Sequence, residues 1–260
     1  MPHFLWSQLF ITPLYPKDRY DGKTIIVTGS NVGLGKEAAR HFVRLGASSL
    51  ILAVRSLEKG ETAKADIEST TGCSKDVVKV WNLDMASYAS VQNFVARVER
   101  ELPRLDIALL NAGIATGTFK MAEKDEATIT VNVVSTFLLA LMLLPKLKDT
   151  AKKYNTRPNL TITSSEVHGW AKFEERKAPE GKIFARLSGD EGKVNMTDRY
   201  QVSKLLEVYG VKAMAERRPA DKYPVTINCV NPGLCHSELG RDAGWGLWIL
   251  KLLLARTTEQ

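Results

Sequence analysis

The stretch TGSNVGLG at residues 28–35 follows the apolar run TIIV (24–27) and leads into the amphipathic LGKEAARHFVRLGA (34–47). Its three glycines can adopt positive φ, and they lack the Cβ that would hold another molecule away from the backbone. A strand before the turn and a helix after it would leave several amide N–H groups unpaired at a helix N-terminus, where they attract anions. Taken by itself the stretch predicts either a phosphate cradle or simply a tight turn between strand and helix.

The flanking chain supplies the frame. TIIVT (24–28), SLILAV (49–54), VVKVWNL (77–83), DIALLN (106–111), NLTITS (159–164) and VTINCV (225–230) are short apolar runs rich in β-branched residues, separated by helical patterns. Parallel strands covered by helices on both faces read this way. The alternation predicts an α/β fold, a doubly wound parallel sheet of Rossmann type, with its ligand crevice beyond the carboxyl ends of the strands. One domain is expected over 23–260, preceded by an apolar leader at 1–22.

Composition narrows the partners. Of 260 residues, 44% are hydrophobic, enough for a full core, and 36 Lys+Arg against 29 Asp+Glu give a formal charge of +7. The basic residues are scattered without a run of five, so nucleic acid is not expected; a phosphorylated cofactor or an acidic membrane surface remains. Cys73, Cys229 and Cys235 form neither a disulfide framework nor a zinc pattern, which points to a reducing compartment and a cytoplasmic protein. The leader PHFLWSQLFITPLYP (2–16) is broken by Pro13 and Pro16 and falls short of the roughly 20 residues that span a bilayer. It has neither a basic start nor a small-residue cleavage site. Phe4, Leu5, Trp6, Leu9, Phe10 and Ile11 are expected to pack on the domain, with peripheral contact at a membrane as the alternative.

Tyr200 and Lys204 in YQVSK (200–204) stand four apart, on one face of a helix. An ammonium beside a phenol stabilises the phenolate and pulls its titration down from about 10. Such a group can give a proton to an alkoxide or take one from an alcohol. Ser165 offers a hydroxyl to hold the substrate oxygen. Hydride needs a carrier, because no side chain stores one.

In this order the motifs resemble those of the short-chain dehydrogenase/reductases, from about Lys23 to Ser237. TGSNVGLG is similar to the family's TGxxxGxG turn, and LNAG (110–113) to its NNAG, with Leu110 at the first Asn. Asn132 in VNVVSTFLL (131–139), TSS (163–165), YQVSK and NPG (231–233) match the helix Asn, the catalytic Ser, YxxxK and the PG motif. The resemblance implies a catalytic set of Asn132, Ser165, Tyr200 and Lys204. Family spacing selects Ser165 over Ser164, and Asn132 would hold a water linking Lys204 to solvent. It also implies cofactor contacts from Gly29, Ser30, Asn31, Gly33, Leu34 and Gly35 in the turn, with Ser30 and Asn31 near ribose or phosphate. Asp84 would meet the adenine amino group with Met85 beside it, and Asn111, Ala112 and Gly113 would flank the adenine-side ribose. Tyr200, Lys204, Pro232 and Gly233 complete the nicotinamide end, with Ser237 at the carboxamide. The second strand ends LAVRSLEKG (52–60), placing Arg55 where an NAD site carries an acid, so NADP(H) is expected. Val32, just before Gly33, departs from the basic residue that many NADP(H) members have there.

Two stretches depart from the pattern. Residues 166–199, between Ser165 and Tyr200, form an extension in which Trp170, Phe173 and Phe184 are expected to line an apolar substrate pocket; a surface excursion without function is the alternative. His168 and His236 flank that pocket and are expected to be satisfied or solvated, with no metal. SSEVHGWAKF (164–173) and NPGLCHSELGRD (231–242) resemble retinol dehydrogenase-like and fungal reductases, whose members often reduce carbonyls in secondary metabolism. After NPG the family's seventh strand is expected to be missing, leaving an open sheet edge. Trp245, Leu247, Trp248, Leu250, Leu252, Leu253 and Leu254 predict an apolar helix that covers substrate, a partner or a membrane. The expected activity is NADP(H)-dependent reduction of a ketone or aldehyde of an apolar small molecule, or oxidation of the alcohol, in a chain that can pair into a homo-oligomer. A catalytically impaired cofactor-binding scaffold is the alternative.

Overall fold

The computed structural model describes residues 2–189, 194–235, 239 and 255–256, with side chains from Trp6 onward. Helix α1 (Pro2–Phe10) precedes β1 (Thr24–Thr28), α2 (Gly33–Arg44), β2 (Ser49–Val54), α3 (Leu57–Thr71), β3 (Val78–Asn82), α4 (Tyr88–Glu101) and β4 (Ile107–Leu110). A two-residue hairpin of β5 (Met121–Ala122) and β6 (Asp125–Glu126) leads into α5 (Ala127–Ile129), a π-helical segment (Thr130–Ser135) and α6 (Thr136–Tyr154). Then come β7 (Asn159–Thr163), two 3₁₀ turns, α7 (Ile183–Leu187), α8 (Met196–Arg217) and β8 (Thr226–Val230).

Six strands form one parallel sheet in the order β3-β2-β1-β4-β7-β8. The order reverses between β1 and β4, which makes the carboxyl ends of those two strands the crevice of a doubly wound sheet. Alternation along each strand divides the core. Ile25 and Val27 of β1 face the helices α2 and α3 with Ala39, Val43, Ala63 and Ile67, while Ile26 faces α4 and α6 with Phe94, Val98, Leu139 and Leu143. The central strand β1 is therefore buried throughout, and β2 and β4 nearly so, whereas the outer strand β3 exposes Lys79. The expected strands are all present, trimmed by a residue where the apolar run extends beyond the ladder. Residues 127–154 are long and apolar enough to cross a membrane, but 72% of the relevant window is buried in the fold, where it supplies core.

The described sheet ends at β8. Arg256 N donates to Leu234 O (2.9 Å), making a single parallel bridge outside the sheet. Ser237, His236 and the apolar run from Trp245 to Leu254 lie outside the described residues.

Asp106, just before β4, accepts from Thr24 N at 2.9 Å and so ties the start of β1 to its neighbour. At the other end the turn is tighter. A Cβ on Gly35 would sit 2.5 Å from Asn111 Nδ2 and 2.6 Å from Gly29 O, both fixed by the sheet. Gly35→Ala is expected to destabilise the fold by about 1–3 kcal/mol through overpacking, measured as a lower denaturant midpoint with an unchanged m-value.

Candidate active site

Thr28 closes the crevice floor. Its Oγ1 accepts from Asn111 N and Ala112 N, each at 2.9 Å, while Asn111 Nδ2 donates to Thr28 O at 3.1 Å. Gly29 (φ +64°) and Gly33 (φ +57°) take the left-handed conformation that the turn requires. Helix α2 then starts at Val32 with no side-chain cap and no acid in its first turn, whereas Ser56 and Ser87 cap α3 and α4. Its first N–H groups are thus left for an anion, with the positive end of the helix behind them. Asn31, Val32 and Leu34 are partly or fully exposed along this turn. Ser30 departs from expectation: its hydroxyl is fully buried and donates to Val27 O (2.9 Å), so the turn itself consumes it.

Arg55 is exposed at the end of β2, in no ion pair among the described residues, and Asn82 Nδ2 steadies its carbonyl at 2.9 Å. Asp84 holds its own turn by accepting from Ala86 N (2.9 Å). Met85 is a correction, because its side chain is buried in the core and only its backbone can meet a ligand. Uncapped donors, a glycine turn and an outward guanidinium fit a phosphorylated dinucleotide in charge and in shape.

Beyond β7 the proton-handling groups converge. Ser164 is buried and donates to Lys204 O (3.1 Å), whereas the Ser165 hydroxyl lies near enough to the Tyr200 phenol to favour its ionised form. The ammonium of Lys204 lies 5.7 Å from the centre of the Tyr200 ring and donates to Thr163 O at 2.9 Å and to Glu207 Oε1 at 2.8 Å. Gly113 comes close to this cluster; a Cβ there would lie 3.3 Å from Asn132 Oδ1 and 3.6 Å from Lys204 Nζ. Burial, and then the Glu207 carboxylate, push the Tyr200 phenol above its ordinary value, opposed by the Ser165 hydroxyl. The downward pull expected from Lys204 is therefore not what governs this phenol in the folded chain.

Asn132 sits in the π-helical segment, a distortion common at functional sites. Its side chain spans two elements: Oδ1 accepts from Ile114 N (2.9 Å), and Nδ2 donates to Ile114 O (2.9 Å) and Ser203 Oγ (3.0 Å). With both amide hydrogens taken by protein, the side chain clamps the segment just after LNAG to α8.

Helix α1 meets the mouth of the crevice through Gln8, while Trp6, Leu9, Phe10 and the following Ile11, expected to pack on the domain, stay exposed. Gln8 pairs with the backbone of Leu234, donating to its O at 2.7 Å and accepting from its N at 3.2 Å, directly against Gly233 (φ +78°). Arg256 donates to carbonyls of Ser7, Gln8 and Ile11. A cavity of about 440 Å³ remains between α1 and residues 231–233, with Trp6, Ile11, Glu166 and Pro232 in its wall.

The extension is held to the core by buried charge. Asp198 accepts from Lys172 N and Phe173 N (3.0 Å each), and the fully buried Arg199 lies between Glu175 (3.1 Å) and Glu126 (3.8 Å). Phe173, expected in a substrate pocket, packs instead with Ile129, Val133, Leu187 and Val202, because Asp198 draws its backbone inward. Trp170 and Phe184 stay exposed. His168 Nδ1 lies 2.7 Å from Ser165 O, and no cluster that could hold a metal is present among the described residues. Sequence reading overlooked Gln8, Glu126, Asp198, Arg199 and Glu207; of these only Glu207, three residues after Lys204, stands at a spacing that could have marked a partnership. Arg199→Ala would remove the buried cation between the buried Glu126 and the half-buried Glu175 and is expected to cost about 3–5 kcal/mol, read from the urea midpoint.

Residues 23–155 match the family model described as short chain dehydrogenase. The chain is 61% identical over 98% of its length to a short chain dehydrogenase/reductase (dmxR8) of Cryptosporiopsis sp., of which it covers 80%. It is 47% identical over its whole length to a short chain dehydrogenase (atnD) of Emericella nidulans, covering 83% of that protein. Among solved structures, a short chain dehydrogenase of Escherichia coli CFT073 complexed with NADPH matches with a TM-score of 0.63 and 28% identity, over 85% of this chain and 81% of that one. A shared fold, identity of this order and the family match together place the chain in the short-chain dehydrogenase/reductase family of oxidoreductases, among its fungal members.

Proposed function

We propose that the protein reduces a ketone or aldehyde of an apolar small molecule with NADPH. The observation that carries this reading is the convergence of Tyr200, Ser165 and Lys204 at the carboxyl end of β7, the same end of the sheet at which the uncapped turn of α2 lies. When bound, NADPH supplies the hydride. Ser165 and Tyr200 both present hydroxyls to a carbonyl oxygen, and Tyr200 gives its proton as negative charge develops there. A phenol raised by burial remains protonated through the neutral range, which suits a donor. Lys204 keeps positive charge beside the ring, and Asn132 fixes the backbone that passes it. The NADPH complex of the E. coli relative supports the choice of coenzyme, and Arg55 supplies a cation for the 2′-phosphate.

Two measurements test this. Tyr200→Phe is expected to lower turnover of NADPH with aromatic ketones and aldehydes by about 10²–10⁴-fold, with NADPH affinity by fluorescence titration nearly unchanged. Turnover equal to wild type would remove the assignment, and tight NADPH binding with no turnover of any carbonyl by wild type would point to a scaffold. Arg55→Asp is expected to weaken NADPH by roughly 10–100-fold, the loss of one charge-assisted contact, and to leave NADH within a few-fold. Equal losses for both coenzymes would reject the 2′-phosphate role.

A further inference from the structure

Lys204 does not act on Tyr200 alone. Three residues on, at a spacing that puts both side chains on one helix face, Glu207 sets its Oε1 2.8 Å from Lys204 Nζ. Both side chains are buried, and Glu207 Oε2 has no hydrogen-bond partner among the described residues. A buried ion pair gives little net stability, because desolvation consumes most of the attraction. An apolar residue would serve packing better at this position. The pair does have an electrostatic consequence, since the ammonium beside the phenol is matched by a carboxylate on the same helix.

We propose that Glu207 is a positioning residue: its carboxylate fixes the Lys204 ammonium against Thr163 and offsets its pull on Tyr200, so that the phenol stays in its proton-donating form. This rests on the reading of Tyr200 as the proton donor. The groups facing Glu207 are Lys204 and Tyr200 on α8, Ser164 at the end of β7 and the Cys229 thiol on β8. Burial raises the Glu207 carboxyl to about 7, against the downward pull of Lys204 and Ser164, and its charge in turn raises both Tyr200 and Cys229. Above neutrality the Lys204 charge is thus matched, and in mild acid it is not.

The test is the titration of Tyr200 itself, by ¹⁹F NMR of the full chain carrying 3-fluorotyrosine, with the resonance identified by its loss in Tyr200→Phe. In E207Q, which keeps the volume but removes the charge, the Tyr200 midpoint is expected to fall by at least one pH unit. In E207D it should return toward wild type. The alkaline rise of alcohol oxidation with NADP⁺ should move down by the same amount, with kcat affected more than KM. An unmoved midpoint in folded E207Q overturns the proposal. Should E207Q fail to fold, K204M and K204M/E207M decide: the double variant should titrate at least one unit below K204M, and equal midpoints overturn the proposal. The titration needs neither substrate nor coenzyme, so its outcome is independent of whether the protein turns over a carbonyl with NADPH.

Discussion

The hydroxyl of Thr28 is the joint on which the molecule depends. Past the last ladder pair of β1 and β4, it takes hydrogen bonds from Asn111 N and Ala112 N, while the Asn111 side chain returns one to Thr28 O. The strand order reverses at this pair, and the chains leaving it run to opposite faces of the sheet. Without a tie the gap between them would widen, since no ladder remains to hold them. With the tie, Gly35 and Gly29 pack so closely that no side chain fits, and the N-terminus of α2 is aimed across the crevice. The same frame carries Gly113 past Asn132 and Lys204, so the phosphate turn and the proton-handling residues share one backbone reference.

Much of this was legible because burial writes itself into composition. The inner strands are covered on both faces, so TIIVT, SLILAV and IALL read as continuous apolar runs, and the six strands emerge from the sequence almost to the residue. Motif spacing likewise located Ser165, Tyr200 and Lys204 near one another. What spacing does not encode is which way a side chain turns once its neighbours arrive. Ser30 bonds inward to Val27, Met85 joins the core, and Phe173 leaves the expected pocket to pack with Leu187 and Val202. Nor does any residue mark the π-helical segment around Asn132, because its register depends on contacts with Ile114 and Ser203 that are distant in sequence.

The extension between Ser165 and Tyr200 shows how a polar stretch becomes part of the core. Its sequence offered a pocket-lining extension or, as the alternative, a surface excursion; in the fold Asp198 and Arg199 at the start of α8 are buried and recruit its backbone and Glu175. Nε and Nη1 of Arg199 lack hydrogen-bond partners among the described residues, so this cation is not buried for stability alone. Its reach from Glu126, in the β5–β6 hairpin, to Glu175 fixes the extension relative to α8 immediately before Tyr200. Position, rather than net attraction, is what such a pair supplies.

Helix α8 therefore carries two buried charge networks with the phenol between them. Asp198 and Arg199 precede Tyr200 and anchor the extension; Lys204 and Glu207 follow it and meet the ends of β7 and β8. A lone ammonium would act on the phenol as a full charge, whereas a matched pair acts as a dipole whose field falls off more steeply with distance. Small displacements of Lys204 relative to Glu207 then change the field at Tyr200 more than they would for an isolated cation. That sensitivity explains why Lys204 is held at both Thr163 and Glu207, and why Gly113 and Asn132 leave so little space beside its ammonium.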